Sequence, residues 1–346
     1  MKKCLSSILA AALTLTLISC GTTTPDATDQ SSAGSGSDAD VMTIKLATIG
    51  PEDGTVQASA EHVLMDYIEQ ASGGKIKVQY YPNAVLGGDL DLAEGLGNGS
   101  IELATLETSV LTAYSDKIGI LGIPFLFTDT DAALKALNEG SLGTILADEL
   151  KGTGILASDT WGFGGYRGLS NNTRAISAPE DMKGLKIRVM ESPVFLTSFS
   201  LMGANPTPIG FSELFTALQN KTVDGQDNDP SLTYTCKFYE VQKYYTNLEH
   251  IMTVTNMFIS ESWYTSLSEE NQEIIQEACR RFAEYCTTEG LASYEDNLDL
   301  LEQNGMEVTR LTPEQRQLFK DAVISMYDEY IEKWGQEIFD AAQQYN

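Results

Sequence analysis

The sequence predicts an α/β protein built from two α/β halves. Strand and helix patterns alternate in the order β-α-β-α-β between residues 42 and 107. That order is typical of a largely parallel sheet covered by helices. A second unit of the same type begins at APEDMKGLKIRVMESP, residues 178–193, and the C-terminal part is mainly helical. No internal repeat of short period is present.

The first half contains three predicted strands, MTIKLATIG, KIKVQYY and IELATLE, separated by the helices AEHVLMDYIEQ and LDLAEGLGNGS. Ligands of such sheets bind in a crevice outside the carboxyl ends of the strands. Three acids, Glu52, Asp89 and Glu107, lie at or just past these ends. Each is a candidate for a polar contact, although an ordinary solvated loop acid is the simpler explanation of each one taken singly.

The second half centres on GLKIRVMESP, in which apolar Leu185, Ile187 and Val189 alternate with Lys186 and Arg188. A period of two predicts a β-strand with Arg188 on its polar face. The segment FSELFTALQN then predicts an amphipathic helix, and KTVDGQDN predicts a short strand that reaches a turn.

The C-terminal region begins with a predicted strand around MTVTNMFIS. A long helix follows from Ser268, with apolar residues at core spacing. The last helix opens at Thr312, where Thr312-Pro313-Glu314-Gln315 forms a capping box with proline at the first helical position.

The N-terminus carries a targeting signal. Residues 1–19 combine two lysines with a short apolar run, which predicts a cleaved signal peptide. The ending LISC looks like a bacterial lipobox and predicts a lipid on Cys20. Residues 20–41 are rich in Ser, Thr, Gly and Asp and predict a flexible, lipidated tether. We therefore expect a secreted, membrane-anchored protein in the periplasm or on the cell surface.

Composition excludes several classes of function. The net charge of −27 repels phosphate backbones, so nucleic acid is not an expected partner. The loop GFGGYR lacks the third glycine of a dinucleotide-binding turn, and neither His62 nor His250 lies in a metal motif. Cys279 and Cys286 are about 10 Å apart along one helix, too far for a disulfide. We expect no cofactor, no metal and no catalytic nucleophile.

Several motifs in a fixed order resemble one known family. They are GYR, APEDMKGLKIRVM, GANPTPIGFSELFTALQNKTVDGQDN and KFYEVQKYYTNLEH. Together with the signal peptide and lipobox they look like the DctP-like solute-binding protein of a tripartite ATP-independent periplasmic (TRAP) transporter. The resemblance extends from about Met42 to the C-terminus.

The resemblance implies a two-domain periplasmic-binding-protein-like fold with hinge strands and a long bridging helix. Domain I would comprise residues 42–165 plus 254–293, and domain II residues 166–253 plus 294–346. A small organic acid would bind in the cleft between them, and the chain would deliver it to a small and a large integral membrane subunit. This function involves no chemistry by the chain itself.

The resemblance also implies roles for individual residues. Arg188 corresponds to the arginine that clamps the ligand carboxylate, and Arg167 lies near the same group. Asn228 adds a polar contact, and Phe211 packs against the ligand. Glu107 contacts ligand hydroxyls in some members, with Asp89 a weaker candidate.

The substrate is predicted from the residues around the clamp. Glu191 accepts hydrogen bonds from hydroxyls but repels a second carboxylate, and Trp161 offers a surface for stacking on a ring. With Glu107 they favour a sugar acid such as a hexuronate. A C4-dicarboxylate and sialic acid remain alternatives. So do, more distantly, an extracytoplasmic carbohydrate-active enzyme and a sensor module. One departure from the family is DGQDNDP, in which Asp229 stands where many members have proline.

Overall fold

The computed structural model describes residues 41–346, so the predicted signal peptide, Cys20 and the tether up to residue 40 lie outside the described residues. The described part is a mixed α/β structure with two main sheets and one two-stranded ribbon. The strands are β1 (Met42–Thr48), β2 (Ile76–Tyr81), β3 (Leu103–Thr105), β4 (Ile155–Ala157), β5 (Gly162–Tyr166), β6 (Gly168–Asn171), β7 (Lys186–Val189), β8 (Asn205–Pro208), β9 (Gly225–Asn228), β10 (Tyr244–Asn247), β11 (Met252–Thr255), β12 (Phe258–Ser260) and β13 (Glu307–Arg310).

Helices cover both sheets. They are α1 (Val56–Ala71), α2 (Asp89–Asn98), α3 (Thr130–Asn138), α4 (Leu142–Glu149), α5 (Pro193–Leu201), α6 (Phe211–Gln219), α7 (Pro230–Thr235), α8 (Glu261–Tyr264), α9 (Glu269–Gln303), α10 (Pro313–Val323), α11 (Ser325–Trp334) and α12 (Gln336–Gln343). Within residues 41–346, no helix is long and apolar enough to cross a membrane.

The first sheet has the strand order β2-β1-β3-β12-β4. β1 pairs in parallel with both β2 and β3, as the β-α-β-α-β pattern predicts. β12 is antiparallel to its neighbours β3 and β4. This strand comes from the C-terminal half of the chain, so the first sheet is completed by a segment about 150 residues away from β3.

The second sheet has the order β13-β10-β6-β9-β7-β8. In β7 the predicted alternation holds for the apolar face, because Ile187 and Val189 are fully buried. The polar face is not uniformly wet: Lys186 is exposed, whereas Arg188 is only 3% exposed. The sequence correctly predicts Arg188 on the polar face of β7, and the structure shows that Arg188 is buried there.

The ribbon of β5 and β11 carries the chain between the two sheets. β5 leads from β4 in the first sheet to β6 in the second, and β11 leads from β10 back to β12. The two strands are antiparallel and paired from Met252 with Tyr166 to Thr255 with Gly162. They are therefore the hinge strands of the two-domain fold.

The long bridging helix is α9, which has 35 residues and a length of about 52 Å. It begins after Ser268, as predicted, and the Ser268 side chain accepts from the Asn271 N–H. α9 packs on α1 and β5 and also reaches α7 and β13, so it contacts elements of both halves. Its Cys279 and Cys286 are free thiols, in agreement with the spacing argument.

The edge strand β8 was not predicted as an element because two of its four residues are proline. It pairs in parallel with β7, with Asn205 opposite Lys186 and Pro208 opposite Val189. The N–H groups of Asn205 and Ile209 point toward β7 and donate to the carbonyls of Leu185 and Val189. The intervening Pro206 and Pro208 therefore have their backbone nitrogens on the outer side of the strand. Proline is tolerated at such an edge, where no ladder hydrogen bond is lost.

Candidate functional site

A cavity of about 150 Å³ lies between the two sheets. The second sheet contributes Arg188 and Asn228 from the ends of β7 and β9, and the first sheet contributes Thr105 from the end of β3. One face of α9 closes a side. The carboxyl ends of strands from both halves thus meet at one site, as expected for sheets of this type.

Arg188 lies in β7, and its side chain makes one hydrogen bond. Its Nε donates to the Ile209 carbonyl at 2.7 Å. Among the described residues, its two Nη atoms donate no hydrogen bond and form no ion pair, and they are not sealed from solvent. Burial lowers the pKa of Arg188 to about 10. A bound anion would reverse this penalty, because a fork of two N–H donors matches a carboxylate.

Arg167 has a different environment. Its Nε donates to Asp227 Oδ2 at 2.6 Å, and one Nη donates to Asn228 Oδ1 at 3.0 Å. The other Nη lies 3.4 Å from Glu107 Oε2. Burial opposes the charge, but Asp227 and Glu107 together raise the pKa of Arg167 above its ordinary value. This guanidinium lines the cavity but is already neutralised.

Two acids of the first half line the cavity near the arginines. Asp89 Oδ1 accepts from the Glu107 N–H at 2.9 Å, which joins the start of α2 to the end of β3. Burial raises the pKa of Asp89 to about 6, and the nearby Glu107 carboxylate adds to this effect. Burial also raises the pKa of Glu107, against the opposing influence of Arg167. The third candidate of this kind, Glu52, is exposed.

Asn228 and Phe211 also line the cavity. Asn228 is 3% exposed, and its Nδ2 donates to Gln226 while its Oδ1 accepts from Arg167. Phe211 is half-buried at the start of α6 and packs on Phe238. The Phe211 ring therefore lines the cavity together with Arg188 and is only partly packed into the core.

Two predicted residues lie elsewhere. Trp161 is 5% exposed and packs edge-on against Phe258. Its backbone N–H donates to Asn138 Oδ1, and its carbonyl accepts from Asn138 Nδ2. It does not line the cavity, so its predicted stacking role is not supported. Glu191 is exposed and likewise lies outside the lining. The turn after β7 directs Met190 into the cavity instead.

The departure at Asp229 has a local explanation. The Asp229 side chain accepts from the Leu232 N–H at 3.0 Å and forms the N-cap of α7, with Pro230 at the first helical position. Aspartate followed by proline is a standard helix start. The altered loop therefore begins a helix whose first turn lines the cavity.

Sequence reasoning missed Asp227 and His250. Asp227 is fully buried, and although burial alone would raise its pKa, the Arg167 guanidinium holds that pKa well below the usual range. His250, also fully buried, lies with its Nε2 3.7 Å from Asp227 Oδ2. The partner of Asp227 lies 60 residues earlier in the chain, so no local pattern indicated this pair.

A second missed group lines the cavity wall formed by the first half. Gln57 lies in the first turn of α1, and Thr105 lies at the end of β3. Gln57 Nε2 donates to Thr105 Oγ1 at 3.1 Å.

Within residues 41–346 no cluster of His, Cys, Asp and Glu has the arrangement of a metal site.

Comparison with protein families gives one match to most of the chain. The family model DctP, bacterial extracellular solute-binding protein, family 7, matches residues 46–333. Among relatives, the C4-dicarboxylate-binding protein DctB of Bacillus subtilis is 30% identical over 300 residues, 86% of this chain and 85% of that protein. The sialic acid-binding periplasmic protein SiaP of Vibrio cholerae is 32% identical and covers 82% of this chain and 87% of its own length.

The structure resembles solved structures with the same architecture. The sugar acid binding protein DctPAm from Advenella mimigardefordensis, in complex with galactonate, aligns with a TM-score of 0.84 at 30% identity. The alignment covers 89% of this chain and all of that one.

Proposed function

Because the chain belongs to the DctP family of bacterial extracellular solute-binding proteins, we propose that it captures a sugar acid such as a hexuronate in the cavity between its halves. The coarser statement does not depend on this choice: the chain is a TRAP-type solute-binding protein for a carboxylate-containing solute, and its family consists of binding proteins rather than enzymes. The solute is then passed to the membrane permease subunits with which such proteins work.

The observation that carries the proposal is the open guanidinium of Arg188. A buried arginine with one backbone partner has been desolvated without full compensation, which is costly unless a ligand supplies the missing acceptors. A carboxylate in the cavity accepts from both Nη atoms. Hydrogen bonds to charged groups contribute about 1.5–3 kcal/mol each.

The choice of a sugar acid rests on the remainder of the cavity. Arg167 and Arg188 are the basic residues among those lining it in the described part of the chain, and Arg167 is already paired. A dicarboxylate therefore meets no second open cation. Asp89, Glu107 and Gln57 instead offer acceptors to hydroxyl groups. The galactonate complex of the Advenella relative is consistent with such a solute.

We also propose a lipid anchor and a division into two domains. We place the lipid on Cys20 and the protein outside the cytoplasmic membrane, held by residues 20–41. The domains divide at residues 165/166, 253/254 and 293/294, near the hinge strands and within α9. Closure of the two halves around the solute brings Asp89 and Glu107 toward Arg188.

Thermal-shift measurements first identify ligands, because a ligand that binds only the folded state raises the apparent stability. Calorimetry with galacturonate, galactonate, succinate and sialic acid then measures the affinities. We expect the two sugar acids to bind more tightly than succinate. Arg188→Lys should weaken binding about 100-fold, because a point charge does not reproduce the fork.

The matched control is Arg310→Lys, which alters a surface arginine on β13 of the same sheet. This variant should bind as the unaltered protein does. Binding of succinate alone would overturn the sugar-acid assignment in favour of a C4-dicarboxylate. Unchanged affinity in Arg188→Lys would overturn the role of the clamp.

A further inference from the structure

A buried carboxylate lies behind the cavity wall on the side of the first sheet. Glu61, in α1, is 1% exposed and is not among the cavity-lining residues. Three side chains donate to it: Tyr80 Oη at 2.6 Å, Thr105 Oγ1 at 2.5 Å and Gln57 Nε2 at 3.2 Å. Two of these donors, Thr105 and Gln57, line the cavity.

The three donors account for the presence of an acid at this position. Burial raises the pKa of Glu61, and the hydrogen bonds from Thr105, Tyr80 and Gln57 offset only part of that shift. Both carboxylate oxygens are occupied, so no orphaned group is left at Glu61. The cluster lies outside the arginine site and is not needed to hold Arg167 or Arg188.

The carboxylate determines how the Gln57 amide is oriented. Tyr80 and Thr105 both donate to Glu61, which therefore acts as an acceptor, and the nitrogen end of the Gln57 amide faces it. Gln57 Nε2 also lies 3.1 Å from Thr105 Oγ1 and 3.4 Å from Thr48 Oγ1. Its Oε1 accepts no hydrogen bond from any described residue and is not sealed from solvent. Because Gln57 lines the cavity, this oxygen is the end of the amide left free for a ligand.

We propose that Glu61 is a positioning residue for solute specificity, which fixes Gln57 with its carbonyl oxygen toward the solute. This inference rests on the proposed function, in which Arg188 binds the carboxylate end of the solute. An acceptor on the facing wall pairs with a hydroxyl of a sugar acid. It has no proton to offer a second carboxylate, so this wall disfavours a dicarboxylate.

The first experiment is Glu61→Gln, a change that keeps the size of the side chain but adds a donor. The Gln57 amide is then free to invert and to present its N–H group to the cavity. Calorimetry should show galactonate affinity about tenfold lower, with succinate affinity unchanged or higher. Glu69→Gln is the matched control: it is the same substitution on the same helix, at a surface residue paired with Lys77. It should leave both affinities unchanged.

A double-mutant cycle separates positioning from a general structural effect. Gln57→Ala should weaken galactonate binding by about as much as Glu61→Gln, and adding Glu61→Gln to Gln57→Ala should change the ratio of the two affinities no further. Additive effects on this ratio would overturn the inference, as would an unchanged ratio in a folded Glu61→Gln variant. Failure of the unaltered protein to bind either acid would instead overturn the proposed function on which the inference rests.

Discussion

The two arginines of the cavity differ in what they already bind. Arg167 directly precedes β6 and Arg188 lies in β7, on opposite sides of β9. Arg167 is paired with Asp227, Asn228 and Glu107, whereas Arg188 donates one hydrogen bond, to a carbonyl. Arg167 therefore stabilises the structure of the site, whereas Arg188 retains free donors for a ligand.

The largest effect is expected from Arg167→Met. Removing this guanidinium leaves the fully buried Asp227 carboxylate without its partner, which costs about 3–5 kcal/mol of the free energy of unfolding. Chemical denaturation at neutral pH measures this loss. Adding Asp227→Asn should restore part of it. A single variant as stable as the unaltered protein would mean that Arg167 is not a structural residue.

Arg188→Met should behave in the opposite way. Affinity for the carboxylate solute should fall by at least about 100-fold, since charged hydrogen bonds are lost. The ligand-free protein should be no less stable, because the substitution removes an incompletely paired buried charge. Calorimetry and thermal denaturation of the same preparation test both statements. A marked loss of stability without ligand would erase the distinction between the arginines.

A smaller effect is expected from pH. The pKa of Asp89 is raised to about 6, so the ionised form is disfavoured in the folded protein and Asp89 gains a proton as the pH falls from 7.5 to 5. Loss of this negative charge beside Arg188 should strengthen binding of an anion several-fold. Calorimetry at the two pH values measures the change. In Asp89→Asn the affinity should already be high at pH 7.5 and vary less with pH, and an undiminished pH dependence would implicate Glu107 instead.

The smallest effect is expected from Trp161→Phe. Since Trp161 packs on Phe258 away from the cavity, solute affinity should stay within about twofold of the unaltered value, with only a loss of stability from reduced packing. Calorimetry and thermal denaturation again separate the two. A large loss of affinity in a stable variant would return Trp161 to the solute site.

The sequence predicted β1, β2, β3, β7 and the long helix because their patterns are local. The alternation in GLKIR placed Arg188 on the polar face of β7, and the serine before α9 marked its start. Local patterns say nothing about which distant segment covers a face. For this reason the burial of Arg188 and the antiparallel insertion of β12 emerged only from the three-dimensional arrangement.

Sequence analysis missed Asp227 and Glu61 for the same reason. Asp227 is paired with an arginine 60 residues earlier, and Glu61 is one acid among 49 in the chain, so neither was distinctive. The error at Trp161 has a more specific cause. In the glycine-rich segment that follows it, Phe163, Gly164 and Gly165 line the cavity, while the Trp161 side chain packs on Phe258.

The two prolines of β8 have a consequence beyond their own strand. A sheet that ends in a row of outward amides is a template on which another chain can add a strand, which is a common route to aggregation. Here Pro206 and Pro208 occupy the outward positions, so that border offers no N–H donor there. The second sheet is thereby protected at this edge against edge-to-edge assembly with other copies of the chain.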